Sequence, residues 1–465
     1  MPTLPARRRF DTLWLGLVVA VALAFAGASP HTAQAQTPTA APTPQGNTSS
    51  PVETRGDLAP IAEAYLLLVD HYAVPLDPAQ LVAAGQDGMQ AVLRAAGVDV
   101  SSMDPATYGT TVVAQFAVLQ TQYQALVARY GDVVTPQALA HAAIRSMADS
   151  VGDAHTTFLS PEEYQEEQRW ESGQDRYAGI GVRLRGPQAT VLEVFPGTPA
   201  ERAGFQPGDT ILAVNGQSTG DLKLDEIVRL VRGPVGTTVA LNVQRAGGSR
   251  VDTLTLARAD VSAPFVSARE LPGNLGYVQL RGFPDASVAT DVERAILQQQ
   301  RAGVRGIVLD LRGNGGGRLA VGARLLADFV PDGPIYQSVD RDGHREVRNV
   351  RGARPILTVP IAVLVDEGTA SMGEIFAAAI QEHRLGRVIG STTAGAVAAS
   401  RIIALSDGSA LQVSVEQVYT GAGAPLDRVG VHPDEEVALD LDALRQGRDT
   451  QLEQATRYLL AAPAR

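Results

Sequence analysis

A chain of 465 residues exceeds what one hydrophobic core usually supports and points to two or three domains. Hydrophobic residues make up 45% and charged residues 19%, an ordinary globular composition that excludes a wholly disordered chain. A net charge of -11 with no Lys/Arg cluster after Arg9 speaks against nucleic acid as a partner, and the absence of cysteine excludes disulfides, a thiolate nucleophile and cysteine metal sites.

Arg7, Arg8 and Arg9 precede an apolar run from Leu13 to Gly27 and then Ala33-Gln34-Ala35, the pattern of a secretory signal peptide over residues 1–35. The alternative is an uncleaved anchor, the one case in which the chain contacts a membrane, and either way the body is extracytoplasmic. Residues 36–56, rich in Pro, Thr and Ser, read as a flexible linker. Over residues 57–172 apolar positions recur at three- and four-residue spacing, as in IAEAYLLLVDHY and PQALAHAAIRSMADSV, predicting a helical N-terminal domain whose expected role is packing. Residues 173–260 switch to short β-type runs, GIGVRL, TVLEVF, DTILAVNG and TVALNVQR, with one helix, LDEIVRLV. Residues 261–440 alternate strands such as GIVLDLR and IAVLVDE with amphipathic helices, predicting an α/β core, and residues 441–465 are expected to form one C-terminal helix.

Three segments carry chemistry. In VLVDEGTASMGEIFAAAIQ, Ser371 falls between a buried strand and a helix start, where free N–H groups and the helix dipole favour an oxyanion; a Ser there also serves as an ordinary N-cap. GIVLDLRGNGGG ends a strand in Gly315, Gly316 and Gly317, a run that lets backbone N–H groups approach a ligand and is equally a structural turn. No GK[ST] follows it, so a nucleotide is not indicated, and the seven histidines show no HExxH spacing, so no metal or other cofactor is expected. In the β-rich segment, Gly179, Ile180 and Gly181 form a loop able to present N–H groups to a carboxylate.

The stretch GTPAERAGFQPGDTILAVNG, with YAGIGVRL before it and LDEIVRLVRG after it, resembles a PDZ domain of the bacterial protease type. With SMADSVGDAHTTFLSPEEY, LDLRGNGGG, VLVDEGTASMGEIFAAAIQ, GSTTAGA and GVHPD in that order, residues 60 to 440 resemble the C-terminal processing peptidases, also called tail-specific proteases. The resemblance implies a multidomain fold: a helical N-terminal region, a β-rich PDZ module and an α/β peptidase core of the ClpP/crotonase-like type. It implies Ser371 as nucleophile, the N–H groups of Gly317 and Met372 as oxyanion hole, and Gly179, Ile180 and Gly181 as a site for substrates with free C-termini.

One departure stands out. The family's TFGKG supplies a lysine general base and a glutamine soon after; here the stretch reads TTAGAVAAS, with Ala396 at the lysine position and Ser400 at the glutamine position. The only lysine is Lys223, in the PDZ segment, and arginine does not accept protons near neutral pH. A neutral imidazole is the natural substitute. His155 in GDAHTTF resembles the DxHT segment of the tricorn-like branch, which implies a base there, with Asp427 in PLDRVGVHPD at the position of that branch's glutamate; Asp153 is the alternative partner. Three functions follow: a serine endopeptidase acting through an acyl-enzyme, an inactive homologue that binds peptides as a scaffold, and a carrier of apolar ligands on the same fold.

Overall fold

The computed structural model describes residues 58–100, 109–172, 176–186 and 189–462; the signal and linker segments expected at 1–56 lie outside them. Among the described residues, no helix is long and apolar enough to cross a membrane.

Four helices open the fold: α1 (Ala59–His71), α2 (Pro78–Ala95), α3 (Val112–Tyr130) and α4 (Pro136–Val151). Proline in the first turn and a capping side chain start two of them, Asp77 accepting from the Ala79 N–H and Thr135 from the Ala138 N–H. Gly152, at φ 75°, ends α4. A short strand β1 (Thr157–Leu159) and helix α5 (Pro161–Glu171) follow, the latter closed by a Ser160/Glu163 capping box. The helices bury Leu68, Met89, Leu93 and Ile144 in one cluster with Phe158 of β1 and with Leu405, Leu411 and Val413 from late in the chain. The predicted helical domain therefore shares its core with strands of the peptidase layer, and a boundary at 172 does not separate two cores.

The β-rich module contains β2 (Arg176–Gly179), β3 (Val182–Arg185), β4 (Thr190–Val194), α6 (Pro199–Arg202), β5 (Thr210–Val214), β6 (Gln217–Ser218), α7 (Leu224–Val231), β7 (Thr238–Gln244), β8 (Val251–Ala257) and β9 (Ala259–Ser262). Its sheet runs β3-β4-β5-β7-β8, with β6 appended to β5, over a core that includes Ile180, Val191, Ile211, Ile227 and Leu241. β2 and β9, the first and last strands of the module, pair with each other as a separate antiparallel ribbon.

The remainder is built from β10 (Val266–Leu271), β11 (Leu275–Leu280), α8 (Ala286–Arg301), β12 (Ile307–Asp310), α9 (Leu319–Leu326), β13 (Gly333–Asp340), β14 (Arg345–Val350), β15 (Ile361–Val365), α10 (Met372–Glu382), β16 (Arg387–Gly390), β17 (Ala398–Ala404), β18 (Ala410–Thr420), β19 (Glu435–Glu436), α11 (Leu441–Arg445) and α12 (Thr450–Ala461). Strands β11, β12, β15, β16 and β19 lie parallel, with β10 antiparallel at one edge. Residues of α8, α9 and α10 pack on one face and α12 on the other, so β12 and β15 are buried throughout, as the apolar runs Ile307–Leu309 and Ile361–Val365 require. A second sheet, β1-β18-β13-β14 with β17 on β18, joins the first and last thirds of the chain: Thr157 pairs with Gln412. The single terminal helix expected from Leu441 is in fact two. α11 stops at Arg445, Gly447 takes φ 79°, and Asp449 caps α12 by accepting from the Leu452 N–H.

Candidate active site

The carboxyl ends of β12 and β15, neighbours in the parallel sheet, deliver the glycine run and Ser371 to one place. Ser371 is the N-cap of α10 and stands in capping-box relation to Glu374, so the N-cap role expected of a serine here is present alongside any chemical one. Its backbone sits at φ 53°, ψ -120°, a conformation costing a non-glycine residue about 1–3 kcal/mol that only surrounding contacts can maintain. Those contacts are present. The Ser371 N–H donates to Ala396 O at 2.9 Å and to Glu374 Oε2 at 3.0 Å.

Glu374 is the hub of this turn. Its carboxyl is fully buried and also accepts from Thr393 Oγ1, from the Gly395 N–H at 2.8 Å and from the Ala396 N–H at 3.0 Å. Burial pushes its pKa up to about 7, against the pull of those donors. The loop that carries Ala396 is thereby clamped to the Ser371 turn. Sequence reasoning placed Glu374 only on the helix; the Ser-x-x-Glu spacing of a capping box was the available signal.

The glycine run lies directly against Ser371. A Cβ at Gly316 would fall 2.6 Å from Ser371 Cβ, and Gly316 has φ 100°. Asn314, fully buried, braces the run by donating from Nδ2 to Leu280 O at 2.9 Å and accepting the Gly316 N–H at 2.9 Å. Phe283 N–H donates to Gly316 O at 2.7 Å and Arg318 N–H donates to Phe283 O at 2.8 Å, which fixes Gly317 from both sides. Among the described residues, neither the Gly317 nor the Met372 N–H donates to a protein acceptor. Met372 follows Ser371 in the chain and the glycine run packs against it, so both donors belong to the segments that meet at the Ser371 turn.

Asp427 lies beneath the loop at the missing lysine: its Oδ1 accepts the Val397 N–H at 3.4 Å, and Arg428 N–H donates to Gly395 O at 2.6 Å. Burial raises its pKa, helped by the negative charge of nearby Asp153 and opposed by the Val397 N–H. Asp153 in turn organises the His155 turn, accepting the His155 N–H at 2.7 Å, Thr156 Oγ1 at 2.9 Å and Ser414 Oγ at 3.1 Å. Ser414 pairs with Ser400 across β18 and β17, so the Asp153 turn is tied to the strand that follows the Ala396 loop. Its ring is buried, its Nδ1 has no hydrogen-bond partner, and burial lowers its pKa while Asp153 opposes the shift. Asp153 thus holds the backbone of His155. Among the described residues no hydrogen bond joins the His155 ring to Ser371 or to Asp427.

The other histidines near the core are occupied elsewhere, His383 Nε2 at 2.8 Å from Pro334 O and His432 Nδ1 at 3.1 Å from Thr392 Oγ1. Lys223 stays at the start of α7, where its N–H donates to Glu226 at 2.7 Å. Asp340, Asp342 and His344 come together at the β13–β14 turn, the one group with metal-ligand spacing among the described residues. Asp340 Oδ1 there accepts the N–H groups of Asp342 and His344, which accounts for the cluster as a turn.

In the PDZ module, Ile180 is buried and Gly181 has φ 88°. The carbonyls of Ile180 and Gly181 accept from the Ala200 and Phe195 N–H groups, while their own N–H groups donate to no described acceptor. The module touches the peptidase through Arg185, whose Nη1 lies 3.3 Å from Asp366 Oδ2; Asp366 Oδ1 accepts the Gly313 N–H at 2.7 Å and the Gly368 N–H at 3.0 Å. One buried carboxylate, not singled out by sequence, thus links the module, the turn that leads into the glycine run and the turn that leads to Ser371.

Residues 274–437 match peptidase family S41 and residues 190–245 match a PDZ domain. A carboxyl-terminal-processing protease of Synechocystis sp. is 34% identical over 305 residues, 64% of this chain and 70% of that protein. The carboxy-terminal processing protease CtpA of Bacillus subtilis is 31% identical over 322 residues, 69% of this chain and 68% of the relative. The solved photosystem II D1 C-terminal processing protease superposes with a TM-score of 0.54 at 26% identity, covering 88% of this chain and 99% of that one. The chain belongs to the carboxyl-terminal processing peptidases, a family of serine-type proteases with a PDZ domain.

Proposed function

We propose that this chain is an exported serine endopeptidase that cuts protein substrates whose free C-termini dock in the PDZ module. In this reading Ser371 Oγ attacks the scissile carbonyl while His155 takes its proton, with Asp427 steadying the imidazolium. The negative oxygen of the tetrahedral intermediate meets the Gly317 and Met372 N–H groups; collapse gives an acyl-enzyme as the protonated amine leaves, and water then releases the acid. The observation that carries the proposal is the strained Ser371 turn with two unspent backbone donors beside it. Two uncommitted amides beside a strained serine are costly as packing and useful as chemistry. Export rests on the Arg7–Arg9, apolar-run and Ala33-Gln34-Ala35 pattern.

A second reading is an inactive homologue that binds peptides as a scaffold. It is favoured by Ala396 at the lysine position together with the lack of a ring contact from His155 to Ser371. Intact mass after fluorophosphonate treatment separates the two, measured on the mature protein and on Ser371→Ala and His155→Ala, with and without a C-terminal peptide. A single adduct on the wild type that is lost in both variants supports the peptidase with its histidine base. An adduct that persists in His155→Ala removes the proposed base and keeps the nucleophile. No adduct on any form favours the scaffold.

A further inference from the structure

β3 is the outermost strand of the PDZ sheet, with β4 on one side and no described strand on the other, and α7 lies beside it. Its side chains alternate. Val182 and Leu184 pack against the module's core, which turns Arg183 and Arg185 to the opposite face. Glu193, opposite Arg183 on β4, lies 3.4 Å from Arg183 Nε and is shared with Arg281. Arg183 Nε is nevertheless buried without a hydrogen-bond acceptor. Arg185 faces buried Asp366 at 3.3 Å and pairs with Glu367, whose side chain is 55% exposed and free to yield its place. Two guanidinium groups therefore lie on the face of β3 turned away from the module's core, Arg183 beside Glu193 and the Gly313 turn and Arg185 beside Asp366 and Glu367.

We propose that the PDZ groove selects substrates carrying an acidic side chain one or three residues before the C-terminus, read by Arg183 and Arg185. The inference rests on the groove reading given above. A peptide pairing with β3 sets every second side chain on the arginine face, because residues opposite one another in a ladder share a face. A carboxylate there forms charge-assisted, fork-shaped hydrogen bonds with guanidinium and replaces the exposed Glu367. The intervening peptide side chains face Val182 and Leu184 and are accordingly apolar. Arginine at both positions suits a planar two-oxygen partner.

The test is fluorescence polarisation with the full mature chain carrying Ser371→Ala, using fluorescein-labelled alanine octapeptides. Glutamate at the two named positions is expected to bind on the order of 10-fold tighter than lysine at the same positions. Glutamate moved to the intervening positions gains nothing over alanine. Arg183→Glu reverses the order of the glutamate and lysine peptides, and the milder Arg183→Gln flattens it. Equal affinities for glutamate, alanine and lysine peptides, all lost on C-terminal amidation, overturn the acidic preference while leaving the groove standing. Indifference to amidation, or no binding of any peptide, overturns the groove and the preference with it.

Discussion

The Ser371 N–H and the Ala396 N–H converge on one oxygen of Glu374, each at 3.0 Å, so the Ser371 turn and the Ala396 loop are held by one buried carboxylate. Burial raises that carboxyl from 4.5 to about 7. Between pH 4.5 and 7 the unfolded chain has lost this proton and the folded chain still holds it, so stability falls as pH rises through the window, by on the order of 3 kcal/mol. Glu374→Gln carries no charge and is expected to flatten that slope. It also slows serine labelling, because an amide NH2 then faces backbone donors. Urea unfolding at several pH values checks the first point; parallel pH profiles for wild type and variant would contradict it.

Gly316→Ala is expected to be severe. The added methyl meets Ser371 Cβ at 2.6 Å and Met372 N at 2.8 Å, at φ 100°. Overpacking and positive φ together cost about 2–6 kcal/mol. Fluorophosphonate labelling of the variant at low temperature, where it remains folded, reads the local effect, and an unchanged rate would show that the glycine run does not bear on the nucleophile.

Burial keeps His155 neutral to lower pH than an exposed histidine, with Asp153 in opposition. The acid limb of kcat/KM is expected below pH 6.5, where a base at that position finally protonates. Stability has the same sign: the unfolded chain takes up the proton first, so the contribution is present above pH 6.5 and is lost as pH falls toward the folded value. An acid limb that survives in His155→Gln would place the base elsewhere.

Asp366 accepts from the Gly313 and Gly368 N–H groups and from Thr369 Oγ1 and faces Arg185, so Asp366→Asn alters four attachments at once. A displacement of the oxyanion loop of about 1 Å costs on the order of 100-fold in rate. The expected result is a fall in kcat with little change in the affinity of a C-terminal peptide. A loss of peptide affinity with kcat intact would instead tie Asp366 to the groove.

Local patterning made most of the elements legible. The period-3.6 run at 136–151 became α4, LDEIVRLV became α7 without a shift, and the buried run before Ser371 became β15. What the pattern could not carry was long-range pairing. Thr157 lies opposite Gln412, and three TFL residues give no sign of a partner that distant, so the helical layer read as a separate domain. At the site, Ser371 and the glycine run announce themselves by strand-to-helix context. Glu374 and Asp366 do not, since their importance lies in which backbone N–H groups converge on them after folding. The helix break at Gly447 was missed because the apolar spacing on either side stays in phase.

β2 and β9 are hydrogen-bonded along Arg176–Gly179 and Ala259–Ser262, which brings the two ends of the PDZ module together like the prongs of a plug. A module whose ends already meet asks nothing of its host except a socket of matching width. A replacement for segment 180–258 whose own ends lie at that spacing would keep the ribbon and leave the two sheets of the peptidase core as they are.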